Sequence, residues 1–503
     1  MSSTIPAINS CILHKINPAF DRLDQMLVGI LKDQAIDDQS LLTILKERMP
    51  SSKDATPAEH IHSLRSLFGF ALINEMGIKG DHYKNLINDF TQAVLSIKFW
   101  EEFQLANVYY TICNNLLRNQ QSKLNVTQFE SGAVPLDSGG HWTWGNCPHQ
   151  INHAEFGVIC AVLAKVTSDQ TLLKTVDKLA QWQTNTISHN STPLRGLFTQ
   201  ELQASTVDSL IWDYLLYLTA GTFLNKPSYI GIAEKLKVKL QELPKSSWSV
   251  PPITAAIEQW VLLHNSIPTA HQYHLTELIH DPVIGVIGRR NQEKTVVSTI
   301  CGGKTGMGTF YVNDQLSIVT YGPQLLPLGD CQAFGIETIS RSNKKFEGFT
   351  ISKSEAFYSI KGYCKIPGKE SVDASYSTYG NSQHSEFWVD VQQQFDNDSL
   401  DVEVTFLGFD SYDELAFTFF VRASECTIDD STVLAPKSLD RYKGDLGSIK
   451  LTYQDKSITI LPQYQGGSME IIPLAGDDNF WGGEFLIGFS VKREQPKMGW
   501  TIF

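Results

Sequence analysis

No stretch of this sequence approaches the roughly 20 consecutive apolar residues that a membrane-crossing helix needs. The start, MSSTIPAINSCILHKINPAF, lacks the basic-then-apolar order of a secretory leader. The chain therefore reads as soluble and, by default, cytoplasmic, with secretion lacking a cleaved signal left open. Basic residues are in the minority: 41 Lys and Arg face 54 Asp and Glu, a formal net charge of −13. Such a field repels nucleic acid and anionic lipid, which excludes binding to either through a broad basic surface. The eight cysteines lie far apart with no C-x-x-C pair, so reduced, buried thiols are expected rather than a disulfide framework. No fixed-length repeat marks a solenoid.

What is present is globular. A chain of 503 residues with 42% hydrophobic side chains is too long for one compact core and divides into two large parts. Up to about residue 270 the apolar spacing is three and four. In TPAEHIHSLRSLFGFALINEMG, Thr56 is placed to cap a helix, Pro57 to open it and Glu59 to close a capping box; Ile61, Leu64, Phe68 and Leu72 share one face, and Gly77 ends the run. The same grammar continues through Phe156, Ile159 and Leu163, breaks at Thr167 and Ser168, and resumes at Leu172. About ten such helices precede Pro251 and Pro252. From about residue 280 the period becomes two, as in FWVDVQQQFDNDSLDVEVTFLGFD, with turns expected at Asn397-Asp398, Asn313-Asp314 and Gln454-Asp455. The expected architecture is α+β and multidomain: an N-terminal incomplete α/α toroid of helical hairpins over residues 1–272, or a globular helical bundle in its place, then a C-terminal antiparallel β-sandwich over 273–503.

Polar chemistry concentrates in the glycine-rich segment 131–157, which carries His141, Trp142, Trp144, Asn146, His149, Asn152, His153 and Glu155 just before and into an apolar helix. Indole faces pack on sugar rings, while amides and imidazoles supply directional hydrogen bonds, so the segment reads as a ligand loop. The same residues also suit a plug for the helical barrel with helix-end caps. Their spacing matches no established metal motif, so no metal or other cofactor is expected. A second polar loop offers Arg195, Gln200 and Glu201; hairpin loops that emerge at one end of a toroid would set Glu155 opposite Glu201 as an acid and base pair, while solvated helix-end charges are the simpler account of both. In the β half, G-G-K-T-G-M-G lacks the strand-loop-helix setting of a phosphate loop. Arg289, Arg290 and Lys304 there form either a cationic rim at the domain interface or solvated strand-end charges.

The order of an α/α toroid followed by an antiparallel sandwich resembles the heparinase II/III-like polysaccharide lyases. Asn152-His153 at the head of an apolar helix looks like that family's Asn-His-led helix, and GTFYVNDQLSIVTYG looks like its hairpin strand pair. The resemblance implies cleavage of uronate-containing glycans by β-elimination. Asn152 and His153 would then neutralise the carboxylate or take the C5 proton, with Trp142 and Trp144 as sugar platforms. Two family groups have no counterpart: Thr206-Val207-Asp208 stands where a tyrosine is expected, and Gly303-Lys304-Thr305-Gly306 where a histidine is expected. Three readings therefore stand: a polysaccharide lyase, a non-catalytic glycan-binding protein on the same scaffold, and a glycoside hydrolase using Glu155 and Glu201. The expected partner in each is an oligo- or polysaccharide, with the oligomeric state open.

Overall fold

The computed structural model describes residues 11–13, 22–49, 57–78, 82–97, 104–126, 132, 150–194, 206–243, 251–281, 286–299, 308–312, 315–324, 349–354, 357–367, 384–395, 399–407, 413–453, 456–474 and 483–503. Eleven α-helices come first among them. The helices α1 (Arg22–Leu31), α2 (Asp38–Glu47), α3 (Pro57–Glu75), α4 (His82–Leu86) and α5 (Asn88–Leu95) precede α6 (Gln104–Arg118) and α7 (Gln150–Thr167). The series closes with α8 (Gln170–Gln183), α9 (Thr206–Phe223), α10 (Pro227–Glu242) and α11 (Ile253–His264). Pro57 opens α3 as expected, and Gly77, at a φ of +70°, takes the left-handed turn that ends it. Asp169 accepts from the amides of Thr171 and Leu172 and so starts α8 directly after α7.

Packing closes these helices into a ring. Helix α3 lies on α6, α6 on α7, α7 on α9, α9 on α11, and α11 returns to α3. The burial pattern separates ring from rim. Residues 153–164 of α7 and 253–261 of α11 are buried on every side, whereas α8 and α10 each keep an exposed face. One apolar core runs through all of them from Ile12 to Val261. Glu258 of α11, fully buried, also holds the turn at residues 11–13: it accepts from the Cys11 and Ile12 amides and from the Tyr214 hydroxyl at 3.2, 3.1 and 2.8 Å.

After His264 the chain turns to strand at Leu278. The first sheet runs in the order β1 (Leu278–Asp281), β2 (Val286–Arg290), β3 (Thr295–Thr299), β4 (Gly308–Val312), β5 (Gln315–Gln324), β10 (Glu414–Val421), β17 (Phe485–Lys492), β16 (Ser468–Pro473) and β13 (Tyr442–Asp445). The second runs β12 (Thr432–Leu434), β11 (Glu425–Ile428), β14 (Ile449–Tyr453), β15 (Lys456–Pro462), β18 (Lys497–Ile502), β9 (Leu400–Leu407), β8 (His384–Phe395), β7 (Phe357–Pro367) and β6 (Phe349–Ser354). Every recorded pairing is antiparallel. The three expected turn dipeptides lie outside the described residues, yet the pairs that flank them, Val312 with Gln315, Tyr453 with Lys456 and Phe395 with Leu400, are in register. The sheets share a second apolar core, in which Trp500 stacks on Phe417 at 5.4 Å. Gln393 spans the sheets, accepting from Ser298 Oγ at 2.8 Å and donating to Tyr321 Oη at 2.9 Å.

The ring meets the first sheet through polar bonds. Trp182 Nε1 donates to Asp281 at 2.6 Å, and the His189 amide to Thr295 Oγ1 at 2.7 Å. Arg290 corrects the expectation of a solvated strand-end charge. It is only 3% exposed, and its guanidinium donates to the carbonyls of Thr184 (2.8 Å), Thr276 (2.6 Å) and Ile187. Burial pulls its pKa down to about 10, still far above neutrality, so the charge persists and the carbonyls neutralise it. Replacing Arg290 with Met removes a donor from three carbonyls, of which Thr184 keeps the Ile187 amide at 3.3 Å. The expected loss is about 3 kcal/mol, and calorimetry should resolve helical and sheet unfolding into two transitions; a single unshifted transition would contradict this latch.

Candidate functional site

Helix α7 begins where the polar segment ends, so its first turns carry the site. Residues 153 and 155 are two apart, roughly 200° around a helix, and reach opposite neighbours. His153 turns toward α8 and α9. Its Nδ1 lies 2.8 Å from Gln183 Oε1, and Gln183 Nε2 donates to Asp213 Oδ1 at 2.8 Å and to Thr186 Oγ1 at 3.1 Å. With the Gln183 amide in this orientation its oxygen accepts, so Nδ1 carries a proton and the neutral ring leaves Nε2 as the acceptor. Among the described residues Nε2 has no hydrogen-bond partner, and neither does Asp213 Oδ2. The ring packs on Trp182 at 4.4 Å, and Trp182 in turn binds Asp281 of β1. The sheet thus braces the imidazole from behind.

Burial decides the charges. His153 is fully buried, which drives its pKa down to about 4 against the opposing pull of the Gln183 bond and the Gly132 carbonyl. Asp213, 1% exposed, is pushed up to about 8 by the same desolvation, with the Gln183 bond opposing. At neutral pH the row His153–Gln183–Asp213 is therefore uncharged.

Glu155 turns the other way. It is fully buried, and Arg65 of α3 grips it with Nε on Oε1 and Nη2 on Oε2, both at 2.6 Å, while the Tyr109 hydroxyl of α6 donates to Oε1 at 2.6 Å. Burial alone would lower the Arg65 pKa, but the Glu155 carboxylate raises it overall, and burial raises that of Tyr109. Asp208 of α9 lies in the same field. Desolvation lifts it to about 6, Arg65 opposing and Glu155 adding, and among the described residues its buried Oδ1 has no partner. The expected use of Glu155 as a general acid or base is corrected here. Both oxygens are committed to a bidentate ion pair, so it balances Arg65 and ties α7 to α3 and α6.

The remaining expected site residues do not share this clear placement. Asn152 falls within α7, with no side-chain geometry described; His141, Trp142, Trp144, Asn146, His149, Arg195, Gln200, Glu201 and Lys304 lie outside the described residues. Among the described residues no three His, Cys, Asp or Glu side chains converge on a metal-sized position, and no helix is long and apolar enough to cross a membrane. Sequence reasoning missed Arg65, Tyr109, Gln183 and Asp213. Their signal was present in part: Asp213 is a lone charge inside LIWDYLLYL, and Arg65 one inside IHSLRSLFGF. Charges set in apolar helices need interior partners.

No family model and no curated protein matches the chain. Among solved structures it is similar to a heparinase III at 12% identity and a TM-score of 0.43, over 97% of this chain and 71% of that one. It is also similar to a xanthan lyase of Paenibacillus (9% identity, TM-score 0.48, 99% of this chain and 58% of that one). A chondroitin AC lyase of Streptomyces coelicolor gives 9%, 0.46, 96% and 82%. The architecture is distantly similar to that of polysaccharide lyases. Each likeness spans both the helical ring and the sheets.

The pH dependence of stability tests these charges. Asp213 rises from 3.8 to about 8 on folding, so below 3.8 it contributes in full and its contribution fades as pH climbs to 8. His153 falls from 6.5 to about 4, so its contribution is present above 6.5 and is lost as pH drops toward 4. The two slopes oppose each other between 4 and 6.5, and from 6.5 to 8 Asp213 acts alone. Urea unfolding should show stability falling over that upper window. Asp213→Asn should flatten the fall, and an unchanged slope in the variant would refute a protonated Asp213.

Proposed function

We propose that this chain acts on glycans as a polysaccharide lyase-like enzyme, cleaving uronate-containing chains by β-elimination with His153 as the proton acceptor. The carrying observation is the neutral imidazole whose tautomer is set by Gln183 and whose Nε2 has no partner. Such a nitrogen stays unprotonated at neutral pH and, being itself buried, takes a proton only from a group brought into contact with it. In the reaction Nε2 takes the C5 proton, the C5–H electron pair becomes the C4=C5 double bond, and the C4–O4 bond breaks. Burial makes the imidazolium strongly acidic, so it hands the proton on to the departing oxygen. A bound uronate carboxylate beside the ring raises the imidazole pKa and makes it a better base only when substrate is present.

Asn152, one residue earlier on α7, is assigned to neutralise that carboxylate. Arg195 and Lys304 are the proposed cationic contacts and Trp142 and Trp144 the sugar platforms, with His141, Asn146, His149 and Gln200 as hydrogen-bonding partners. Glu201 remains with the hydrolase reading, which the commitment of Glu155 deprives of its second carboxylate. One observation favours the non-catalytic reading: Tyr109, beside the start of α7, has its hydroxyl engaged by Glu155, and no tyrosine among the described residues bonds to His153.

Incubation with alginate, heparan and chondroitin separates these readings. A lyase produces the ultraviolet absorbance of an unsaturated uronate, and His153→Ala should lower the rate at least ~100-fold. The acidic limb of kcat/KM should fall near pH 4, where the free imidazole titrates, instead of 6.5. No absorbance from any of the three, or full activity in His153→Ala, contradicts the lyase. Binding that disappears in Trp142→Ala with Trp144→Ala, without turnover in the parent protein, supports the non-catalytic reading.

A further inference from the structure

Far along the chain from α7, the outward face of the second sheet forms a groove of about 780 Å³. Its floor is built by register. Across β8, β9 and β18, one row sets Gln392 beside Glu403 and Gly499, and the next sets Gln394 beside Asp401 and Thr501. Val402 and Trp500, between these positions in sequence, and Met498, just before Gly499, are buried. The walls are the segment Gln463–Tyr464–Gln465 and the turn at Gln495. Tyr464 is held in place, its hydroxyl donating to the Ser490 carbonyl at 3.1 Å and its ring edge-on to Trp500 at 6.2 Å. Gly499 lacks a side chain at the centre of the floor, where the Gln463 amide bonds its carbonyl at 2.7 Å.

Five glutamines thus surround one cavity, and among the described residues no hydrogen bond ties any of their side-chain amides. The charged groups are already balanced in part: Lys497 pairs with Glu403 at 2.7 Å, and Asp401 accepts from Thr501 at 2.7 Å. One positive charge against two negative leaves the groove acidic, which repels a polyanion. An added peptide strand has no edge to join, because β8, β9 and β18 are all interior to the sheet. Primary amides offer a donor and an acceptor side by side, which suits the vicinal hydroxyls of an uncharged sugar, and the volume holds several sugar units.

We propose that this groove is a second glycan-binding site, separate from α7, that holds an uncharged stretch of polysaccharide. The inference rests on the reading of the chain as a glycan-acting protein. Affinity electrophoresis of the full chain provides the test, through gels containing a soluble β-glucan, a galactomannan or an arabinoxylan, with alginate as the anionic control. At least one neutral polymer should retard the protein. Gly499→Phe, which fills the floor, and Gln463→Ala with Gln465→Ala, which changes only exposed side chains, should each weaken that retardation about 10-fold or more. His153→Ala should keep it, so loss of turnover and loss of groove binding separate. No retardation by any neutral polymer, or wild-type mobility in both groove variants, would overturn the proposal.

Discussion

The side-chain amide of Gln183 has one acceptor and two donors, and all are used: Oε1 receives the His153 Nδ1 proton, and Nε2 supplies Thr186 and Asp213. In this orientation of the amide, Nδ1 of the imidazole carries the proton and Nε2 is bare. Desolvation of groups that lack an opposite charge completes the arrangement. His153 stays neutral, Asp213 keeps its proton, and Nε2 is left as a lone acceptor at the head of α7.

Around this neutral row the fold gives buried ionisable groups their own partners, one of them an ion pair. Glu155 is matched by Arg65 across the ring, Glu258 is satisfied by the turn at residues 11–13 and Tyr214, and Arg290 is satisfied by carbonyls of the helical region. The same contacts that neutralise charge join elements distant in sequence. Trp182 shows the economy most directly. One face supports the imidazole while its indole nitrogen binds Asp281 on β1, so docking of the sheet and placement of the imidazole are mechanically one event.

Much of the fold was legible from local pattern. Pro57 and Gly77 marked the ends of α3, the break at Ser168 separated α7 from α8, and alternation in VDVQQQF and DVEVTF identified the β8 and β9 hairpin, because caps, turns and faces are written in neighbouring residues. The site was legible only at His153, whose place at a helix head was visible. What His153 does depends on Gln183 and Asp213, each 30 residues from the next, and nothing in local spacing links them. Glu155 was misread for the same reason. An acidic residue near a polar loop looks available for catalysis until the arginine 90 residues earlier is found holding both its oxygens. Arg290 looked like a strand-end charge because its carbonyl partners belong to another part of the chain.

The account depends on the protonation state of one ring. Long-range proton to nitrogen-15 correlation spectra of the histidine side chains, assigned by comparison with His153→Gln, read that state directly. With Gln183 oriented as described, His153 should show a protonated Nδ1 and a bare Nε2 across neutral pH, titrating near 4. A proton on Nε2, or titration near 6.5, would contradict it.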